Sequence, residues 1–280
     1  MKVAAYFRNT RISQWWHWIG VCAVASYAFN PEVMIRSVSL VILGLLFLFA
    51  SGYSLNNTYD IESDKGHPSK MNPVARGELS FKESLAGSIV LGVIGLTFLG
   101  LVSFEGLIGG AMLLVFSIVY HVPPFRTKSR PYLDIITITL LYSTPFFIGY
   151  SSINSIDLTG TSFALLFGLL CGLTHPFQTA KDIEEDRRNG DVTVSVLIGV
   201  KKSMLLSLVL FISTMVYFEF LILAKLLDPK MFFIPLLFIP SLLYYYSVIT
   251  HPSNKKIDKT WNLLRVNGMV GGILLYLTVA

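Results

Sequence analysis

Charge is what this chain has least of. Asp, Glu, Lys and Arg supply 14% of its 280 residues, against roughly 25% in an ordinary soluble domain. Apolar residues supply 53% and the mean hydropathy is +0.62. No sizeable soluble domain fits that composition, and the chain reads as an integral membrane protein. Cysteine is nearly absent. Cys22 and Cys171 each stand alone inside an apolar run, which points to neither a disulfide framework nor a cysteine metal site. Basic residues outnumber acidic ones, 22 to 17, yet they sit in short loops between apolar runs. There they set orientation and meet phosphates, and nucleic-acid binding is excluded as a reading.

A hydrocarbon core about 30 Å thick takes roughly 20 apolar residues per helix. Breakers divide the chain into nine such runs, at 12–29, 37–55, 84–104, 106–121, 132–151, 161–180, 203–224, 231–250 and 261–280. The expected fold is all-α, a polytopic bundle of nine transmembrane helices in a single domain over 1–280. Asn30 and Pro31 close the first span, a tight Glu105–Gly106 turn parts the third from the fourth, and Pro229 precedes the eighth. The first span is long and rich in tryptophan, so it reads as retained and not as a signal peptide.

Nine spans place the termini on opposite sides, and the Lys/Arg distribution then chooses the side. Lys2, Arg8, Arg11, Lys65, Lys70, Arg76 and Lys82 belong to the amino terminus and the second loop. With the other even-numbered loops the total is 18, against Arg36, Lys225 and Lys230 in the odd-numbered ones. A cytoplasmic amino terminus follows.

The acidic residues gather on that same side, at two helix ends. Asn56, Asp60 and Asp64 stand at i, i+4 and i+8 after the second span, and Asp182 and Asp186 repeat the spacing after the sixth. If the helices continue, each set shares one face. Crowded carboxylates repel unless a cation sits between them, and oxygen ligands select hard ions, magnesium above all when phosphate completes the shell. Between the clusters lies Tyr120-His121-Val122-Pro123-Pro124-Phe125-Arg126-Thr127-Lys128, stiffened by two prolines and ending in alternating cations suited to phosphate oxygens. Acid clusters, a basic loop and an apolar interior together describe a site for a lipid diphosphate.

These residues resemble the UbiA superfamily of intramembrane prenyltransferases. Asn56 to Asp64 is similar to its first Asp-rich motif and Tyr120 to Lys128 to its Tyr-x-x-Pro-Pro-x-Arg-x-Lys loop. Asp182 to Asp186, with Gly190 and Thr193, is similar to the second motif. Asn57 stands where the family usually has aspartate, and Met71 to Gly77 follows the family's Asn-Arg-Pro run loosely. The resemblance implies magnesium-dependent ionisation of an allylic prenyl diphosphate and attack by a lipophilic acceptor, from a cavity open to lipid on the cytoplasmic side. The metal set it implies is Asn56, Asp60, Asp64, Asp182 and Asp186. Arg126, Lys128 and Lys181 go to the diphosphate, and the Tyr120 ring to the carbocation.

Other residues read more plainly. Glu62, Glu184, Glu185 and Asp191 fall off the shared faces and read as solvated surface; Arg8 and Arg11 read as orientation signals. His17 and His175 lie in spans where polar groups are costly and read as satisfied by neighbouring helices. His175 adds an acceptor-side reading, because it precedes Pro176 in the helix leading to the second motif. Asn57, rotated about 100° from Asn56, is expected to orient the site without charge, so that aspartate there is tolerated within about tenfold in rate. A membrane terpene cyclase keeps the same metal site and lacks an acceptor. A secondary transporter would place its ionisable groups at mid-membrane depth. The acceptor stays open among a quinone precursor, a glycerophospholipid precursor, a carotenoid and a chlorin. The runs Asp60 to Lys65 and Arg130 to Asp134 look like the carotenoid-elongating branch.

Overall fold

The computed structural model describes residues 2–28, 30, 32, 34–65 and 71–279. Pro31 and Lys70 lie outside them. The chain divides into two compact units, residues 1–126 with 144–160, and residues 127–143 with 161–280.

The first unit opens with α1 (Lys2–Asn9), α2 (Ile12–Trp15) and α3 (Trp18–Ala28). Helices α2 and α3 stand where one span of 12–29 is expected, and α1 precedes it. The chain breaks at Trp16 and His17, and the apolar piece left, Trp18–Tyr27, is shorter than the membrane core requires. Next come α4 (Ile35–Tyr59), α5 (Ile61–Asp64), α6 (Phe81–Gly100) and α7 (Phe104–His121). Helices α4 and α6 approach closely because glycine lines the seam: a Cβ on Gly95 would lie 2.9 Å from the Gly44 carbonyl oxygen. Higher on the seam Ser51 and Ser88 bridge the helices reciprocally, each hydroxyl donating to the other's carbonyl at 2.8 and 2.9 Å. A capping box between Ser80 and Glu83 starts α6. The turn before α7 lies at 101–103 and not at Glu105–Gly106. Ser103 caps α7 by accepting from the Gly106 amide at 3.0 Å, which draws Glu105 into the first helical turn, where a negative charge suits the helix dipole. Ala5 of α1 packs with Val74 and Leu79, tying the amino-terminal helix to the segment after the first motif.

Helix α8 (Leu133–Ser151) contributes its first half to the second unit and its second half to the first. The second unit adds α9 (Leu158–Gly172), α10 (His175–Lys181), α11 (Ile183–Asn189), α12 (Val194–Ile198) and α13 (Val200–Leu223). A 3-10 stretch, Pro229–Phe238, runs into α14 (Ile239–Thr250), and α15 (Asn254–Val279) follows. Phe177, Met204, Phe211, Phe238 and Tyr245 form its buried centre, where Tyr245 and the Ser207 hydroxyl meet at 2.8 Å. On α13 the residues Val209, Ile212, Val216, Phe220 and Leu223 are exposed. In water such a stripe would be an aggregation hazard; facing hydrocarbon it is the outer wall.

Among the described residues seven helical segments are long and apolar enough to cross a membrane, against nine expected: 35–59, 81–100, 104–121, 133–151, 158–181, 200–223 and 229–250. They match the expected second to eighth spans. The ninth begins inside α15, whose first turns carry Lys255, Lys256, Asp258 and Lys259.

Candidate active site

The first motif keeps its spacing through a break. Helix α4 ends at Tyr59 because Asp60 leaves helical geometry at φ −105 and ψ 20. Even so, the Asp60 amide donates to Asn56 and the Asp64 amide to Asp60, at 3.0 and 2.9 Å. The i, i+4 relation therefore survives into α5. The Asn56 amide nitrogen donates to Asp60 at 2.7 Å and stands 3.0 Å from the His121 imidazole.

Each of the two buried carboxylates of this motif has its own guanidinium. Arg126 lies 3.4 Å from Asp60 and donates to the Tyr59 carbonyl at 3.1 Å. These contacts hold Arg126 at φ 35, a conformation few side chains adopt. Asp64 is met by Arg11 at 3.1 Å and by the Asn72 amide at 3.0 Å. Arg11 thus does more than orient the chain. Asn72 also donates to the Asn57 carbonyl at 2.9 Å, while its own oxygen accepts from the Val74 amide at 2.9 Å. Asn57 is fully buried and turned off the ligand row. Its side-chain nitrogen donates to both oxygens of Asn9, backbone and side chain, at 3.0 Å each. Tyr120 is half-buried, edge-on to His121 with ring centroids 4.9 Å apart.

The second motif sits in the other unit. Asp182 ends α10 and starts α11, and the Asp186 amide donates to its carbonyl at 2.8 Å. Gly190, at φ 75, reverses the chain, which lets the Thr193 hydroxyl donate to Asp186 at 3.0 Å. Burial pushes the Asp186 carboxyl up to about 6, and the neighbouring charges of Asp182, Asp191 and Glu185 push the same way; the Thr193 hydroxyl opposes them. Asp191 accepts from the Ser129 hydroxyl, so it ties the basic loop to the motif where open surface is expected. Lys128 lies half-buried in the 3-10 turn Thr127–Ser129. Lys181 is taken by another partner: its ammonium donates to Asp258 at 2.6 Å and lies 5.6 Å from the Trp261 ring centre. Glu62 and Glu184 are exposed, as expected.

The model of the UbiA prenyltransferase family matches residues 17–268. The chain belongs to the UbiA prenyltransferase family. Among curated members it is 28% identical over 198 residues to a lycopene elongase/hydratase of Haloarcula japonica, covering 66% of this chain and 64% of that one. It is 27% identical over 239 residues to the digeranylgeranylglyceryl phosphate synthase of Thermococcus sibiricus, covering 81% and 80%. A UbiA homologue from Archaeoglobus fulgidus, solved with GPP and Mg2+, superposes with a TM-score of 0.76 at 18% identity, over 97% of this chain and 99% of that one. A digeranylgeranylglyceryl phosphate synthase structure gives 0.81 at 17%, over 99% and 98%. The UbiA fold is therefore that of the whole chain, and the apolar helices make this member an integral membrane protein.

Proposed function

We propose that this UbiA member transfers a prenyl group from an allylic prenyl diphosphate to a lipophilic acceptor, with magnesium. The observation that carries the reading is the pair of carboxylate sets at i, i+4 spacing, one beside Arg126 and one whose Asp186 carboxyl is raised chiefly by burial, with its acidic neighbours pushing the same way. Magnesium fits the donors present. Asn56, Asp60, Asp64, Asp182 and Asp186 offer oxygen alone. Among the described residues no three His, Cys, Asp or Glu side chains form a complete cage, and magnesium commonly takes one or two carboxylates and leaves the rest to substrate phosphate. Bound there, it would neutralise the leaving diphosphate and ease ionisation of the allylic carbon–oxygen bond.

The chain's own groups do the rest. Arg126 and Lys128 hold fixed positive charge for the diphosphate, Asn56 steadies Asp60, and the Tyr120 face receives the developing allylic cation. Lys181 joins the diphosphate set with an ammonium already paired to Asp258 and lying over the Trp261 ring, which leaves it further donors for a phosphate oxygen. The excess of lysine and arginine in the amino terminus and even-numbered loops supports a cytoplasmic amino terminus and a site on that face.

Acceptors of the two kinds named by the relatives, a carotenoid and a prenylated glyceryl phosphate, are the first to try. Purified chain with magnesium, labelled dimethylallyl or geranyl diphosphate and either lycopene or a prenylated glyceryl phosphate should yield a prenylated acceptor. Diphosphate release with a cyclised donor and no acceptor product would instead make it a cyclase. Arg126→Ala and Lys128→Ala should each weaken binding of a non-hydrolysable prenyl diphosphate by about 1.5–3 kcal/mol, roughly 10- to 100-fold in Kd. Unchanged affinity in both would leave them orientation signals alone.

A further inference from the structure

Arg265 is a cation that the reaction above does not use. It lies in α15, four residues into the ninth apolar run of 261–280, where charge is costly. Its side chain is exposed. Helical side chains lean toward the helix N-terminus, and the guanidinium carbon of Arg265 lies 5.7 Å from the ring centre of Trp261, one turn earlier. The Lys181 ammonium comes to the same ring from α10, at 5.6 Å. Two cations thus share one indole, and like charges held together away from water call for an anion. Asp258 answers Lys181 at 2.6 Å. Among the described residues no carboxylate pairs with Arg265, so its charge is the one left for a partner from outside the chain.

Beyond Arg265 the same helix face is apolar and open. At 100° per residue Asp258, Trp261, Arg265 and Gly268 fall within about 80° of one another. A Cβ on Gly268 would meet nothing within 4 Å. Gly268 and the buried Gly271 line a crevice with Leu166 and Leu170 of α9, Phe218 of α13 and Phe238, and its lining residues are all apolar. Gly268 stands about 5 Å along the axis from Arg265. The facing segment repeats this order, with Leu166 and Leu170 before Lys181 in the 158–181 span. The seam between that span and α15 therefore carries cations and an indole at the end that bears the second Asp-rich motif, and an apolar hollow farther in. Water finds no polar partner in such a hollow, so hydrocarbon is the filling that suits it. Tryptophan belongs at the depth where lipid headgroups begin.

We propose that this seam binds an anionic phospholipid of the bilayer, with its phosphate on the Arg265 guanidinium and one hydrocarbon chain in the crevice beside Gly268 and Gly271. A guanidinium stacked on an aromatic face keeps its in-plane N–H groups for phosphate oxygens, and basic pockets between membrane helices are suited to such headgroups. One ligand then meets both demands, an anion at the indole and hydrocarbon one turn deeper. A zwitterionic lipid carries its own cation beside the phosphate and competes less well. Helix α10 holds Lys181 at this seam and Asp182 at its end, so the lipid braces the helix that presents the second motif. The site is independent of which acceptor the chain prenylates.

The test counts lipids on the full purified chain by native mass spectrometry, in detergent with phosphatidylglycerol and phosphatidylcholine of identical chains, and uses thermal unfolding as the control for folding. Wild type should retain phosphatidylglycerol about tenfold over phosphatidylcholine, the size of one charge-assisted contact. Arg265→Gln should bring the two lipids to parity, and Arg265→Lys should keep part of the preference. Lys255→Gln removes the same charge from the exposed start of the same helix, and should leave the preference within about twofold. Gly268→Leu fills open space and should lower retention of both lipids about tenfold, as expected when about two methylenes lose their burial, while leaving their ratio unchanged. Equal retention of the two lipids by wild type overturns the site. An equal loss of preference in Lys255→Gln and Arg265→Gln overturns it too, because a diffuse positive field would then explain the binding. Glycerol phosphate that displaces phosphatidylglycerol at equal concentration would show a phosphate site with no chain in the crevice, and a prenylated glyceryl phosphate that expels it would give the seam to the acceptor; either result refutes the bilayer lipid as occupant.

Discussion

Asp60→Ala and Asp186→Ala should each lower magnesium-dependent prenyl transfer by about 10³-fold, the equivalent of about 4 kcal/mol in the barrier, and both variants should stay folded. The reason is that the two carboxylates work on charge and not on packing. Asp60 leaves behind an Arg126 whose side chain is still a quarter exposed, so its charge finds water. Asp186 gives up one hydroxyl contact from Thr193, about 1 kcal/mol of stability. On the proposed reading the reaction loses far more, because a diphosphate leaving group in an apolar site depends on magnesium that these two carboxylates would help to hold. Asp186 adds a pH signature. Its carboxyl is raised to about 6, so below that pH a proton occupies the oxygen a cation needs. The magnesium concentration for half-maximal rate should rise as pH falls through 6 and level off above about 7. Rates at saturating magnesium, with thermal unfolding as the control, decide the matter. Near-normal turnover in both variants would sink the metal assignment.

The parts of the site legible in the sequence were those governed by short spacing. Asp60 and Asp64 keep their relation to Asn56 because backbone hydrogen bonds bridge the helix break, and Asp182 with Asp186 needs only one turn. What spacing cannot carry is contact between distant segments. Arg11 looks like one more cytoplasmic charge until the fold brings it to Asp64, 53 residues on. Lys181 stands beside a metal-motif aspartate in sequence, yet Asp258, 77 residues away, takes its ammonium. Asn72 did leave a trace, in the loosely followed Asn-Pro run, but its two-sided role between Asn57 and Asp64 depends on the loop returning. The first span is less regular than its composition suggests. Its tryptophans and aliphatics have membrane composition, while the helix is interrupted at Trp16 and His17 and resumes as the 11-residue α3.

Asn57 is where the fold changes an expectation. Judged by rotation on the helix alone, Asn57→Asp should pass with little loss. The geometry implies otherwise. The side-chain nitrogen of Asn57 is a donor to two oxygens of Asn9 in a fully buried position, and aspartate would turn an oxygen toward both. Ionised, it repels them without water to screen the charge; protonated, it supplies one hydrogen where two are used. Asn57→Asp should therefore cost about 3 kcal/mol of stability, more than Asn57→Ala, which leaves oxygens unanswered without adding a charge. The loss should reach function through the amino-terminal segment. Asn9 precedes Arg11 by two residues, and Arg11 holds Asp64, so loosening this anchor frees the first motif as well. Thermal unfolding and proteolysis after α1, in detergent and at two pH values, make the comparison. Acid should narrow the gap to wild type, because protonation removes the repulsion. Equal stability for Asn57→Asp and wild type at neutral pH would show that Asn9 does not anchor the motif.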